Sequence, residues 1–292
     1  MKIKALIIML SFCCCVIAQH NSSYSQYMFN GLLINPAYAG SNDALNLTAL
    51  YRKQWSGIEN APNTLSFTAH TPLKNKKVNL GLILISDRYG ITEHMKASLI
   101  YAYRIRLFKG NLSFGLLGGV DSYKMNWNKV RTTQEGDASF TSSIQNRIYP
   151  EAGFGIYYHS KKFFVGLSAP DMYSNTFSVN RTIALSMGGL VSASENFKIK
   201  PAVLVKYLTN SPVDANISST FYWKDIIGIG VGYSYNASLI GLIDLKINDQ
   251  FRIGYSYDHA TTVLNKYSSG SHEIMLRYLF HYKVHSLSTR YF

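Results

Sequence analysis

The segment HEIML, beginning at His272, holds a histidine and a glutamate in the order of a zinc-protease helix, where a second histidine four residues on is the next ligand. That position is Leu276, and the segment alternates like a strand, so the zinc reading fails. GIGVG at residues 228–232 has glycines at period two, but no helix follows that could turn its N-terminus to a phosphate. Small residues facing a lumen or a close neighbour account for them. Asp87, Glu93, Asp121 and Glu151 fall near strand ends, where general acid–base work is one reading and carboxylates facing lumen arginines the other. The eight histidines are scattered and predict no metal site. All three cysteines, Cys13, Cys14 and Cys15, lie in one apolar run; beyond it there is no thiol for a disulfide, a metal or nucleophilic attack. No catalytic constellation, cofactor cradle or metal site is expected.

That apolar run follows Lys2 and Lys4 and ends at Val16, Ile17 and Ala18, the charged, apolar, small-residue order of a cleaved secretory signal peptide over residues 1–18. It is shorter than the roughly 20 apolar residues of a spanning helix. Without the two lysines the net charge falls from +13 to +11, which suits an acidic partner surface or anionic lipid better than nucleic acid in an exported chain. With 22 Tyr and 15 Phe against 15% charged residues, the chain is built to meet lipid or is an unusually aromatic β protein.

Beyond residue 18 no apolar stretch is long enough for a spanning helix, and short alternating segments take its place. ALNLTALYR sets Leu45, Leu47, Ala49 and Tyr51 against Asn46, Thr48 and Arg52; TIALSMGGLV, QFRIGYSYDH and HEIMLRYLF alternate in the same way. Fourteen strands are predicted, at 43–55, 62–72, 78–88, 92–106, 111–125, 148–159, 161–169, 182–192, 197–208, 213–223, 226–235, 238–247, 250–259 and 271–282. A soluble sandwich would alternate too. Loop length separates the two: the even-numbered connections are tight, while 126–147, 170–181 and 260–270 are long, an alternation that a sandwich has no reason to keep. The expected fold is all-β: an outer-membrane antiparallel β-barrel of about 14 strands, with short periplasmic turns and longer extracellular loops, over residues 43–282. A short tail, 283–292, would follow it.

Residues 26–40, QYMFNGLLINPAYAG, are rich in apolar and aromatic side chains but hold neither period; Asn35-Pro36 and the flanking Gly31 and Gly40 predict irregular chain. Within a periplasmic N-terminal segment, 19–42, this stretch either plugs the barrel or lies under its rim. Lys74, Lys76, Lys77, Lys161 and Lys162 gather on the short turns as candidates for partner contact, with solvated turns as the plainer reading.

YMFNGLLINPAYAG, the Arg52-Lys53-Gln54-Trp55-Ser56-Gly57 block with Ala61-Pro62 after it, GLILISDRYG, GNLSFGLLGGV and the closing SHEIMLRYLF resemble the PorP/SprF family of type IX secretion system membrane proteins, over nearly all of the chain after the signal peptide. The resemblance implies an outer-membrane barrel of a Gram-negative bacterium without catalysis or cofactor. Its partners would be secretion-system proteins and one large secreted surface protein, such as an adhesin used in gliding. It brings no assigned binding residues. Asn35, Pro36, Arg52, Gln54 and Trp55 are contact candidates on their own account, against the competing reading of a fold corner at the barrel floor. The alternative function is a channel for a small or amphipathic solute.

Overall fold

The computed structural model describes residues 24–127, 144–174, 181–209 and 211–280; the expected signal peptide and C-terminal tail lie outside them. The first strands are β1 (Leu45–Lys53), β2 (Asn63–Pro72), β3 (Val78–Tyr89), β4 (Thr92–Leu107) and β5 (Gly110–Asn126). Next come β6 (Ile144–His159), β7 (Phe163–Ser174), β8 (Thr182–Gly189), the two-residue β9 (Val191–Ser192) and β10 (Phe197–Leu208). The last are β11 (Asp214–Trp223), β12 (Ile227–Ser234), β13 (Ser238–Lys246), β14 (Phe251–Ala260) and β15 (Ser271–Phe280). Strands β8 and β9 both pair with β10 and are one strand interrupted at Leu190, so fourteen strands form the wall. Every neighbour pair is antiparallel, and β1 pairs with β15, closing the sheet into a barrel without edges.

The period of two decides what meets lipid. On β1, Asn46, Thr48, Leu50 and Arg52 are buried inside while Tyr51 points out; on β15, Glu273, Met275, Arg277 and Leu279 are inside while Ile274, Leu276, Tyr278 and Phe280 are outside. Outward Leu65, Leu99, Leu116, Val231 and Ile243 make an apolar belt. Exposed aromatic residues stand at both ends of the strands: Phe163, Phe197, Trp223 and Phe280 at the short-turn end, Tyr51, Tyr207, Tyr233 and Tyr255 toward the other. Two aromatic girdles around an apolar band match the two interfaces of a bilayer.

All fourteen predicted strands are present, with three differences. The connections 90–91 and 235–237 belong to the long-loop end but are tight, so loop length alternates less strictly than the sequence suggests. Strand β7 runs through Pro170 to Ser174, shortening the expected 170–181 loop; the register shifts between Ala152 and Phe154 opposite it, and a bulge tolerates a residue without an N–H. Strand β6 begins at Ile144, ahead of the expected residue 148; it reaches 16 residues beside the 16 and 17 of β4 and β5, which were expected to be long, beyond the roughly 9–11 that cross a bilayer, so this side of the wall rises past the membrane toward the long loops.

The core lies inside the barrel. Three 3-10 turns, Tyr27–Phe29, Gly31–Leu33 and Pro36–Tyr38, stand in the lumen. Leu32, Ala37, Tyr38 and Ala39 pack on Ile83, Ile100, Ala102, Leu117, Tyr157 and Phe164 of β3 to β7. Tyr27, Met28, Phe29 and Ile34 pack on Ala184, Ala202, Leu204, Tyr222, Leu242 and Met275 on the opposite wall. Short irregular turns suffice because the protein, not lipid, surrounds their backbone.

Candidate functional site: a filled lumen between two mouths

The lumen segment is tied to the wall at three levels. Near the long-loop end, Arg52 donates to Asp258 at 2.7 Å, to Glu273 at 3.1 Å and to the Ser25 hydroxyl at 2.7 Å. Glu273 accepts from the backbone N–H groups of Ser25 at 3.0 Å and Gln26 at 2.8 Å, and Asp258 accepts from the Ser25 hydroxyl at 2.5 Å. One guanidinium and two carboxylates, all buried, converge on a short length of backbone, so each carboxylate meets both the shared cation and a hydrogen-bond donor of the lumen segment.

Midway, the Asn35 carboxamide donates to Ile156 O at 2.9 Å and Leu167 O at 3.4 Å while its oxygen caps the next turn by accepting from Ala37 N at 2.9 Å. Pro36 fits at the first position of that turn, where its missing N–H costs nothing. The wall is cut back to receive this corner: a Cβ on Gly115 would overlap the Pro36-Ala37 backbone, and one on Gly155 would overlap the Asn35 carboxamide. Ser168 donates to Ile34 O at 2.7 Å from the same wall.

At the short-turn end, Gly40 donates to His70 Nδ1 at 3.0 Å and its carbonyl accepts from Arg104. Arg104 also holds Asp43 at 2.6 Å, and Lys76 of the β2–β3 turn approaches Asp43 at 3.7 Å. Gly40 has φ +71°, a left-handed conformation, and a side chain there would also strike Asn79. The segment therefore crosses the lumen from the long-loop end at Ser25 to the short-turn end at Asp43, where the chain turns into β1.

The sequence-derived candidates separate. Asn35, Pro36 and Arg52 are buried, and Asn35 and Arg52 make the polar contacts that hold the lumen segment. The Arg52 block is not at the barrel floor: β1 runs away from the short turns, which places Gln54 and Trp55 at the opposite, long-loop mouth. There Gln54 N donates to Pro62 O at 2.9 Å and half-buried Trp55, at φ 47°, donates its N–H to the Ser271 hydroxyl at 3.1 Å. Ser56 exchanges backbone bonds of 2.7 Å with Ser269 and Gly270, pinning the β14–β15 loop. Lys74, Lys76, Lys77, Lys161 and Lys162 are exposed on the β2–β3 and β6–β7 turns, with Lys109 and Lys224 at the same end.

The carboxylates singled out above are accounted for by the wall itself. Asp87 accepts from the Thr64 hydroxyl at 2.8 Å, Asp121 lies 3.0 Å from His94 Nε2, and Glu151 pairs with Lys96, which also meets Asp171 at 3.0 Å. Glu93 faces Arg88 at 3.9 Å on the surface. His272 and Glu273 point to opposite sides of β15, so they cannot share a ligand. Asp258 and Ser25 were not among the sequence candidates, and Glu273 entered only through the rejected zinc motif; the available signal was opposite charge on the inward positions of neighbouring strands.

Two solved barrels are similar in fold. CymD, a monoaromatic hydrocarbon channel, matches with a TM-score of 0.52 at 11% identity, over 88% of this chain and 93% of its own. The Pseudomonas putida toluene transporter TodX matches with a TM-score of 0.50 at 10% identity, over 86% of this chain and 92% of its own. Identity this low speaks for the fold alone. No curated protein matches the chain. The family model described as type IX secretion system membrane protein PorP/SprF matches residues 16–278, most of the sequence, and the chain belongs to that family.

Proposed function

We propose that this outer-membrane barrel is a non-enzymatic docking component of type IX secretion, supporting the export or surface attachment of a large secreted partner such as an adhesin. The observation that carries the reading is the lumen segment, tied near both ends and cradled midway. A filled lumen leaves the mouths and loops as the surfaces that meet other molecules. The basic short-turn mouth, periplasmic in a barrel of this class, suits acidic surfaces of other secretion components. The long-loop mouth, with Trp55 and the raised β4–β6 wall, is where a surface protein is retained.

The second reading, a solute channel, is favoured by the names of CymD and TodX, channel and transporter of aromatic hydrocarbons. It requires the lumen segment to leave its tethers. Gentle extraction of a tagged copy from the native outer membrane, with mass spectrometry before and after a salt wash, tests the docking role. One large exported protein or other secretion components should co-purify, and salt should release those held by the lysines. A barrel that comes out alone and conducts in planar bilayers overturns the reading.

A further inference from the structure

The β2–β3 turn stops short of the hairpin beside it. Strand β3 last pairs with β4 at Val78 and Tyr103, and Arg104 N closes that contact on Lys77 O at 2.7 Å. Strand β4 goes on to Leu107, paired there with β5 alone, so the β4–β5 hairpin stands past the turn and leaves a notch beside it. The notch encloses about 500 Å³, within the roughly 300–1,000 Å³ of small-molecule sites. Its lining carries Lys76, Lys77, Arg104 and Arg106 against one carboxylate, Asp43. Asp43 already meets Arg104 at 2.6 Å and Lys76 at 3.7 Å. Lys77 and Arg106 are exposed, and among the described residues neither forms an ion pair. The turn that presents Lys77 is fixed from within, because Asn75 Oδ1 accepts from Lys77 N at 3.0 Å and from Val78 N at 3.2 Å.

Two further lining residues, Tyr103 and Ile105, point outward, so the notch opens to the lipid side of the wall. Ile105 pairs across to Leu112 and Leu112 to Tyr158, whose ring centre lies 5.5 Å from that of Phe163 in the short-turn girdle. Aromatic girdles stand at the depth of the lipid headgroups. We propose that this notch binds the phosphate of an anionic phospholipid in the leaflet at the short-turn end. Lys77 and Arg106 hold the phosphate oxygens, and the acyl chains run down the wall along Tyr103 and the outward pair Tyr101 and Leu80. Ammonium and guanidinium groups both make charge-assisted hydrogen bonds to phosphate. Four cations against one carboxylate favour a lipid of net negative charge over a zwitterionic one. Lys74, Lys161 and Lys162 do not line the notch, so lipid binding and protein docking at this face are tested by different residues.

The test is native mass spectrometry of the purified full chain, titrated with phosphatidylglycerol or with phosphatidylcholine of the same acyl chains. One phosphatidylglycerol should bind saturably and at a lower concentration than phosphatidylcholine. Lys77→Gln combined with Arg106→Gln should raise the half-saturating phosphatidylglycerol concentration roughly tenfold or more and remove the preference, since each cation near a lipid surface contributes to anionic-lipid binding. Lys53→Gln, exposed at the opposite end of β1, should leave both unchanged. A retained heat-modifiable band on gels verifies that each variant is folded; should the double variant not fold, Arg106→Gln alone carries the test, with a several-fold rise expected. Equal binding of the two lipids, or the same titration in every variant, overturns the proposal. Displacement of the lipid by an equal concentration of inorganic phosphate, or of an acidic peptide, overturns it as well and assigns the notch to a free anion or to a protein.

Discussion

Arg52 is the residue on which the long-loop tether depends. It is the cation facing both Asp258 and Glu273, and both carboxylates in turn hold Ser25. Arg52→Ala leaves two buried carboxylates facing each other, and removal of one partner from a buried ion pair costs about 3–5 kcal/mol. The expected outcome is a markedly lower unfolding temperature in detergent and protease access to the chain around Ser25. Arg52→Lys should recover only part of this, because an ammonium cannot reproduce the guanidinium's fork across two carboxylates and a hydroxyl. Asn35→Ala removes a cap and two bonds to the wall. Its cost should be near 1–2 kcal/mol by chemical or thermal unfolding, in the range of a lost cap.

Each strand does two jobs at once, and the element scale separates them. The outward residues satisfy lipid, and the inward ones satisfy the lumen segment. On β5, Leu116 points out while Gly115 and Leu117 point in, one yielding space to Pro36 and Ala37 and the other belonging to the same buried apolar cluster as Ala37. Gly115→Val should therefore spare the barrel, seen as a retained heat-modifiable band on gels, but dislodge the lumen segment, seen as new conductance in planar bilayers. A silent, stable variant would mean that the segment yields without leaving, and the cradle would lose its assigned role. The strands themselves were legible because a lipid-facing barrel repeats its alternation on most of its strands. The ends of β6 and β7 were less so: Pro170 reads as a terminator, and only pairing across a bulge with β6 lets the strand continue.

For the whole molecule, filling the lumen turns a barrel of pore-like width into a solid body with two different faces. The short-turn face carries Lys74, Lys76, Lys77, Lys161 and Lys162 in the open, and charges exposed this way act over roughly 8 Å at physiological salt. Replacing all five by glutamine should leave the unfolding temperature within about a degree, since exposed charges contribute little to stability. The same variant should lose the salt-sensitive fraction of co-purified partners, measured by mass spectrometry of matched extracts. Unchanged recovery would remove the lysines from the docking surface.

The sequence by itself determined the wall: its fourteen strands, which side of each faces lipid, and the sorting of most short and long connections, because a two-residue period and turn chemistry are local properties. It also marked residues 26–40 as chain that had to be buried. It left open whether that chain plugs the barrel or lies beneath it, and it suggested the wrong mouth for Arg52, Gln54 and Trp55. Those answers depend on contacts between residues far apart in sequence, such as Gln26 with Glu273 and Asn35 with Ile156. Only closing β1 against β15 brings Arg52 beside Glu273 and makes the interior in which an irregular segment can satisfy its backbone.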